Sequence, residues 1–193
     1  MGLKNSRTRW GITAKTFHWI MAIAIIGNGI CGLLMVRMTP SMAMINVFAL
    51  HKSIGLTVIA LWLLRVAWRM QDRAPREEAG PRWQHVAAHI THGLLYVLVL
   101  AIPISGWWYN SVRGFPLQWF KQFNLPAIAS ANPGLSNVAH NIHETLFWIL
   151  IAVVVVHIGA ALKHHFVDRD SVLLRMLPFG RVRQSRLYKG EEK

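Results

Sequence analysis

Four stretches of this 193-residue chain are long and apolar enough to cross a lipid bilayer, and nothing else in the sequence limits its fold so strongly. A hydrocarbon core of about 30 Å calls for about 20 mostly apolar residues in a helix. The stretches fall at about 14–36, 47–68, 88–112 and 141–164. The second is the least clean: its uncharged run, 53–64, is short, but Phe48, Ala49 and Leu50 precede it, and Arg65 and Arg69 follow where long side chains snorkel to an interface. In the fourth, Glu144 is the one charge between Asn141 and Leu162. The predicted fold is all-α, an integral membrane four-helix bundle over residues 1–180 with a basic tail at 181–193. A cleaved leader is a competing reading of the N-terminus, since Ser41-Met42-Ala43 loosely resembles a small-residue cleavage site. The apolar run is long for a leader and three more spans follow, so it is read as the first span.

A net charge of +13 has to be reconciled with 53% hydrophobic residues and a mean hydropathy of +0.33. Nucleic-acid binding explains the charge and not the apolarity, and no recognition helix or RNA-binding motif accompanies it. The positive-inside rule explains both. Seventeen of the 21 lysines and arginines lie in the N-terminal segment, from the end of the second span (Arg65) to Arg82, or from Lys163 onward. The opposite side has Arg37, Lys52, Arg113 and Lys121. Both termini are therefore expected in the cytoplasm, with the tail as a topology signal that also meets anionic lipid headgroups. Cys31 is the only cysteine, which excludes an internal disulfide and the C-x-x-C-H attachment of a covalent haem.

Ligand-type residues inside spans are costly, and so mark candidate functional sites. Of ten histidines, His18, His51, His143 and His157 fall within or at the ends of three spans. His143 and His157 are fourteen residues apart, nearly four helical turns, which sets them on about the same face roughly 21 Å apart. One helix thus offers ligands at two depths. The up-and-down topology matches His18 with His157 on the cytoplasmic side and His51 with His143 on the outer side. Two stacked bis-histidine sites in a four-helix bundle suit two non-covalently held b haems. Iron with two imidazoles has no open position, which fits electron transfer. For any one of these residues, an interfacial or hydrogen-bonded histidine is the plainer reading; four that pair by depth reverse that balance. Zinc is disfavoured, because two-plus-two ligands about four turns apart do not form a tetrahedral cluster.

Other features are weaker. His85, His89 and His92 lie on one face at the start of the third span. They are candidates for a quinone pocket with proton relay, or for haem-propionate contacts. Lys163, His164 and His165 close the fourth span as candidate propionate partners, with a solvated helix end as the plain reading; His164, His165 and, on the opposite side, Arg113 are also candidate quinone contacts. Gly27, Gly29 and Gly32, and Gly159 with Ala160 and Ala161, suit close approach of a flat macrocycle or ordinary small-residue helix packing. Pro103 interrupts the third span beside Ser105 and Gly106, and Trp119 and Phe120 in the loop at 114–134 suit an interfacial position.

The motifs resemble the bacterial cytochrome b561 family, which is related to the cytochrome b subunits of nickel-iron hydrogenases and formate dehydrogenases. Thr16-Phe17-His18-Trp19 resembles its opening motif and Leu50-His51-Lys52-Ser53-Ile54-Gly55 its second-helix motif. The most specific block is His143-Glu144-Thr145 through His157, Ala160-Ala161-Leu162, His164-His165-Phe166, Asp170 and Leu174-Arg175-Met176-Leu177-Pro178. The resemblance implies four helices, two b haems, electron transfer in the inner membrane and the same four histidine ligands. Family members resemble free-standing quinone reductases, one type of which oxidises superoxide and reduces ubiquinone, or the membrane subunit of a larger dehydrogenase. Arg113 and Lys121, in an outer loop with no acidic residue, suit attraction of an anion such as superoxide. The donor is open, as are a partner subunit and a reading of another class, a non-redox transporter or anchor.

Overall fold

The computed structural model describes residues 2–180; the basic tail at 181–193 lies outside the described residues. Four long helices dominate it: α1 (Ile12–Met35), α2 (Met42–Gln71), α3 (Arg82–Val112) and α4 (Ser136–Lys163). Each contains a window apolar enough for a membrane span, and at 1.5 Å per residue each exceeds the roughly 30 Å that a bilayer core requires. All four reach beyond the stretches expected from the sequence, because helix continues past the apolar window into interfacial residues such as Met42–Asn46 and Arg82–Ala87. Pro103 lies inside α3 without ending it. Large aliphatic side chains point outward, with Ile23 70%, Val97 64% and Val155 64% exposed. In water that would be an aggregating surface; in lipid it is the expected exterior.

Backbone packing runs α1 against α2, α2 against α3 and α3 against α4, while Phe147 of α4 approaches Gly29 of α1. Consecutive helices alternate in direction, so one end of the bundle gathers the N-terminal segment, the α2–α3 connection and the residues after α4. This terminal end is knitted together by polar contacts. The Asn5 amide donates to the Asp72 carboxylate at 3.1 Å, and the Arg76 amide to the Arg7 carbonyl at 2.8 Å. After α4 the chain makes a π-helical turn over His164–Asp168, reverses at Arg169 in the left-handed region, and forms a short helix, α5 (Val172–Met176). Lys15 Nζ and Trp19 Nε1 on α1 donate to the carbonyls of Leu177 and Met176 at 3.0 and 2.9 Å. Buried Arg175 is held by the Glu78 carboxylate at 2.8 Å and the Arg76 carbonyl at 2.8 Å.

At the other end, the stretch read as a loop contains a small antiparallel hairpin, β1 (Leu117–Trp119) with β2 (Phe123–Leu125), followed by a 3-10 turn at Pro133–Leu135. Of the three turn residues, 120–122, Phe120 and Lys121 both have positive φ, 46° and 60°. Non-glycine residues there cost about 1–2 kcal/mol each.

Candidate functional site

The two histidine pairs expected from depth are brought together. The ring centres of His18 on α1 and His157 on α4 lie 6.3 Å apart, and those of His51 on α2 and His143 on α4 also lie 6.3 Å apart. A metal–imidazole bond of about 2 Å, with each ring centre about 1 Å beyond its nitrogen, sets two imidazoles on opposite sides of one metal at roughly 6 Å. Both spacings therefore fit axial ligation of one iron per pair. The His18 and His157 rings are tilted by 58° and the His51 and His143 rings by 90°.

Local chemistry at the hairpin-end pair favours the ligating tautomer. His51 Nδ1 lies 3.1 Å from the Asn28 carbonyl, and His143 Nδ1 lies 3.0 Å from the Ile102 carbonyl and 3.0 Å from Ser105 Oγ. A carbonyl accepts only from a protonated Nδ1, which leaves the Nε2 lone pair free, the arrangement usual for metal-bound imidazoles. Glycines make room for these rings. A Cβ on Gly32 would lie 3.1 Å from His51 Cε1, and one on Gly106 would lie 3.0 Å from His143 Cε1. Gly29 meets Phe147 on α4 in the same way, at 3.1 Å. Gly27 and Gly159 face open space.

The terminal-end pair is built differently. Among the described residues neither His18 nor His157 has a hydrogen-bond partner. His92, from α3, instead places its ring centre 5.4 Å from that of His157. The other histidines of that end turn to carboxylates: His85 Nδ1 and His89 Nε2 reach Glu77 at 2.8 and 3.4 Å, and His164 Nδ1 reaches Asp170 at 2.5 Å. Ligand-type atoms of His164, Asp168 and Asp170 lie within 4.8 Å of one another, but Lys163 Nζ occupies the Asp168 carboxylate at 2.6 Å, so this is an ion-pair cluster. His165 packs against Phe166.

Near the hairpin-end pair, Arg113 donates to the Tyr109 hydroxyl at 2.9 Å, and the Tyr109 ring lies 5.4 Å from that of His140, three residues before His143. Lys52, next to His51, donates to Asn110 Oδ1 at 3.2 Å. Asn28, Tyr109 and His140 carry no site signal in the sequence, and Gly106 stands there only as a neighbour of Pro103. For Gly106 a signal existed, a glycine in an apolar span one residue after a serine. For Asn28 the contribution is a backbone carbonyl, which no side-chain pattern reports.

The pattern of the family described as prokaryotic cytochrome b561 matches residues 9–179. The chain belongs to that family. It is 34% identical over 183 residues to cytochrome b561 homolog 2 of Escherichia coli K12, covering 92% of this chain and 95% of that one. It is also 37% identical over 99 residues to cytochrome b561 homolog 1 of the same organism, covering 51% and 55% of the two chains. A protein of Yersinia pestis named probable superoxide oxidase CybB is 29% identical over 166 residues, 83% of this chain and 91% of its own. As a prokaryotic cytochrome b561 with four span-length helices, the chain is a haem b electron-transport protein of the bacterial inner membrane.

Proposed function

We propose that this cytochrome b561 holds two b haems and carries electrons singly between a donor and the quinone pool. In this reading His18 and His157 would hold the haem iron nearer the termini, and His51 and His143 the one nearer the hairpin. The observation that carries it is the 6.3 Å separation repeated in both pairs, each using one ring from α4. Bound haem b supplies a one-electron iron couple in an apolar interior. The chain supplies the rest. The carbonyls of Asn28 and Ile102 keep Nδ1 protonated and Nε2 free on His51 and His143. Gly32 and Gly106 admit the rings, and fourteen residues of α4 space the two sites by roughly 21 Å.

The charge distribution supports cytoplasmic termini, with residues 1–180 as one transmembrane domain and the tail at 181–193 as a topology signal. The hairpin end then faces outward. Its loop holds Arg113 and Lys121 and no acidic residue between 113 and 135, which suits an anionic donor, and the relative named probable superoxide oxidase makes superoxide the donor we propose. Each superoxide would give one electron and leave as dioxygen, and two electrons with two protons from the cytoplasm would convert a quinone to a quinol. His92, beside His157, is the proposed quinone-side residue, with His89, His164 and His165 as further quinone or propionate contacts.

A pyridine haemochrome assay on the detergent-purified protein tests the core of this reading. Two b haems per chain are expected, falling to one in His18→Ala, His157→Ala, His51→Ala or His143→Ala. Two haems in all four variants would refute the ligand assignment. Absence of superoxide-driven haem reduction would remove the donor while leaving the dihaem reading intact.

A further inference from the structure

The hairpin at 117–125 lies along the side of α2 rather than above the bundle. Phe120 N donates to Ser53 Oγ at 2.8 Å, and Trp119 Nε1 donates to Thr57 Oγ1 at 3.0 Å. Both partners stand well inside α2, past His51, in its apolar stretch. Lys121 runs the opposite way, its Nζ reaching Asn46 Oδ1 at 2.8 Å. Asn46 is seven residues from Ser53 toward the hairpin end, about 10 Å at 1.5 Å per residue, and Thr57 is four residues, about 6 Å, deeper. At the tip of one turn, therefore, the ammonium climbs outward while the indole points inward. That is how lysine and tryptophan divide when a backbone sits below a membrane surface.

The hairpin's composition matches that depth. Phe120 and Phe123 are 45% and 62% exposed, and Trp119 stacks on Phe123. The two polar strand side chains bond to each other, Gln118 Nε2 donating to Asn124 Oδ1 at 3.0 Å. The turn closes through Gln122 N to the Trp119 carbonyl at 2.9 Å. The Phe120 amide, the Trp119 indole and the Gln118 and Asn124 side chains are thus satisfied within the hairpin or by α2, which lowers the cost of setting this backbone below a membrane surface. Positive-φ turn positions favour glycine and asparagine, yet two of them here are occupied by Phe120 and Lys121, with φ of 46° and 60°. A strained aromatic at an exposed tip calls for a compensating environment.

We propose that this hairpin is a re-entrant element whose tip enters the bilayer leaflet at its end of the bundle, with Trp119, Phe120 and Phe123 among acyl chains and Lys121 at the headgroup phosphates. The assignment is independent of haem number, donor and which compartment that leaflet faces. Nitroxide labels tell lipid from water: the full chain, as Cys31→Ser, is labelled at Phe120→Cys, at Leu50→Cys as the lipid-facing reference, or at Ser130→Cys as the aqueous reference, in lipid nanodiscs. Accessibility to oxygen and to a water-soluble nickel chelate is then measured. The label at 120 should match that at 50, with severalfold greater relaxation by oxygen than by nickel. Nickel access equal to that at 130 overturns the proposal. Because a label can disturb a tight turn, melting of Phe120→Asn in nanodiscs provides a second reading. Asparagine relieves the backbone, so an aqueous turn would melt higher than wild type, whereas a lipid-inserted one should melt several degrees lower.

Discussion

The ring centres of His92 and His157 lie 5.4 Å apart, closer than the 6.3 Å between His157 and His18. Three histidines from three helices thus meet at the terminal end, and two can share one iron. The 6.3 Å spacing is the one that fits two ligands across a metal, while 5.4 Å at a 69° interplanar angle fits edge-on ring contact. His92→Ala should therefore retain both haems and alter the terminal-side low-spin signal in electron paramagnetic resonance, whereas His18→Ala should lose one haem. The reverse pattern would make His92 the ligand.

Gly106 and Gly159 provide a contrast within one bundle. A Cβ on Gly106 would come 3.0 Å from His143 Cε1, and the ring is already fixed by Ile102 and Ser105, so it cannot retreat cheaply. Overpacking of this kind costs about 1–3 kcal/mol. Gly106→Ala should lower the melting temperature in detergent and reduce the haem content toward one per chain. A Cβ on Gly159 meets no protein atom within 4 Å, so Gly159→Ala should leave helix packing intact and the haem-free chain should melt as the wild type does.

The spans and the pairing of His18 with His157 and His51 with His143 were legible because lipid imposes a one-dimensional code. Apolar length sets a span, alternation sets direction, and position along the span sets depth. What resisted reading depends on the third dimension. The hairpin is two three-residue strands with Phe120 and Lys121 at positions where a turn would signal itself by glycine or asparagine, so its sequence argued against it. His85 and His89 share a face with His92 on α3, yet only His92 reaches His157, while the other two, nearer the helix start, meet Glu77 of the preceding connection. The carbonyls of Asn28 and Ile102 orient His51 and His143 with atoms that every residue possesses.

Arg175 and Glu78 join α5 to the α2–α3 connection, with side chains 7% and 18% exposed and 2.8 Å apart. Ser171 also donates to Glu78, so the carboxylate depends on this short C-terminal helix from two sides. Removing one member of a buried pair strands the other, at about 3–5 kcal/mol. Arg175→Met should lower the melting temperature by several degrees in nanodiscs. Arg175→Met combined with Glu78→Gln should recover part of that loss, which thermal unfolding followed by circular dichroism will read.

Arg113 stands at the hairpin end over the Tyr109 and Phe115 rings, 4.9 Å from the centre of the latter, and the Tyr109–His140 contact leads on toward His143. A cation fixed on aromatic faces keeps its orientation and its charge, which makes it a steering group for a small anion. Steering acts on encounter and is screened by salt, with a Debye length of about 30 Å at 0.01 M against about 8 Å at physiological strength. Arg113→Gln should therefore slow superoxide-driven haem reduction severalfold in low salt, with the gap to wild type narrowing as salt rises, while haem content stays at two. Stopped-flow reduction across a salt series measures this. A deficit that persisted undiminished at high salt would assign Arg113 a direct contact with the donor instead of a long-range pull.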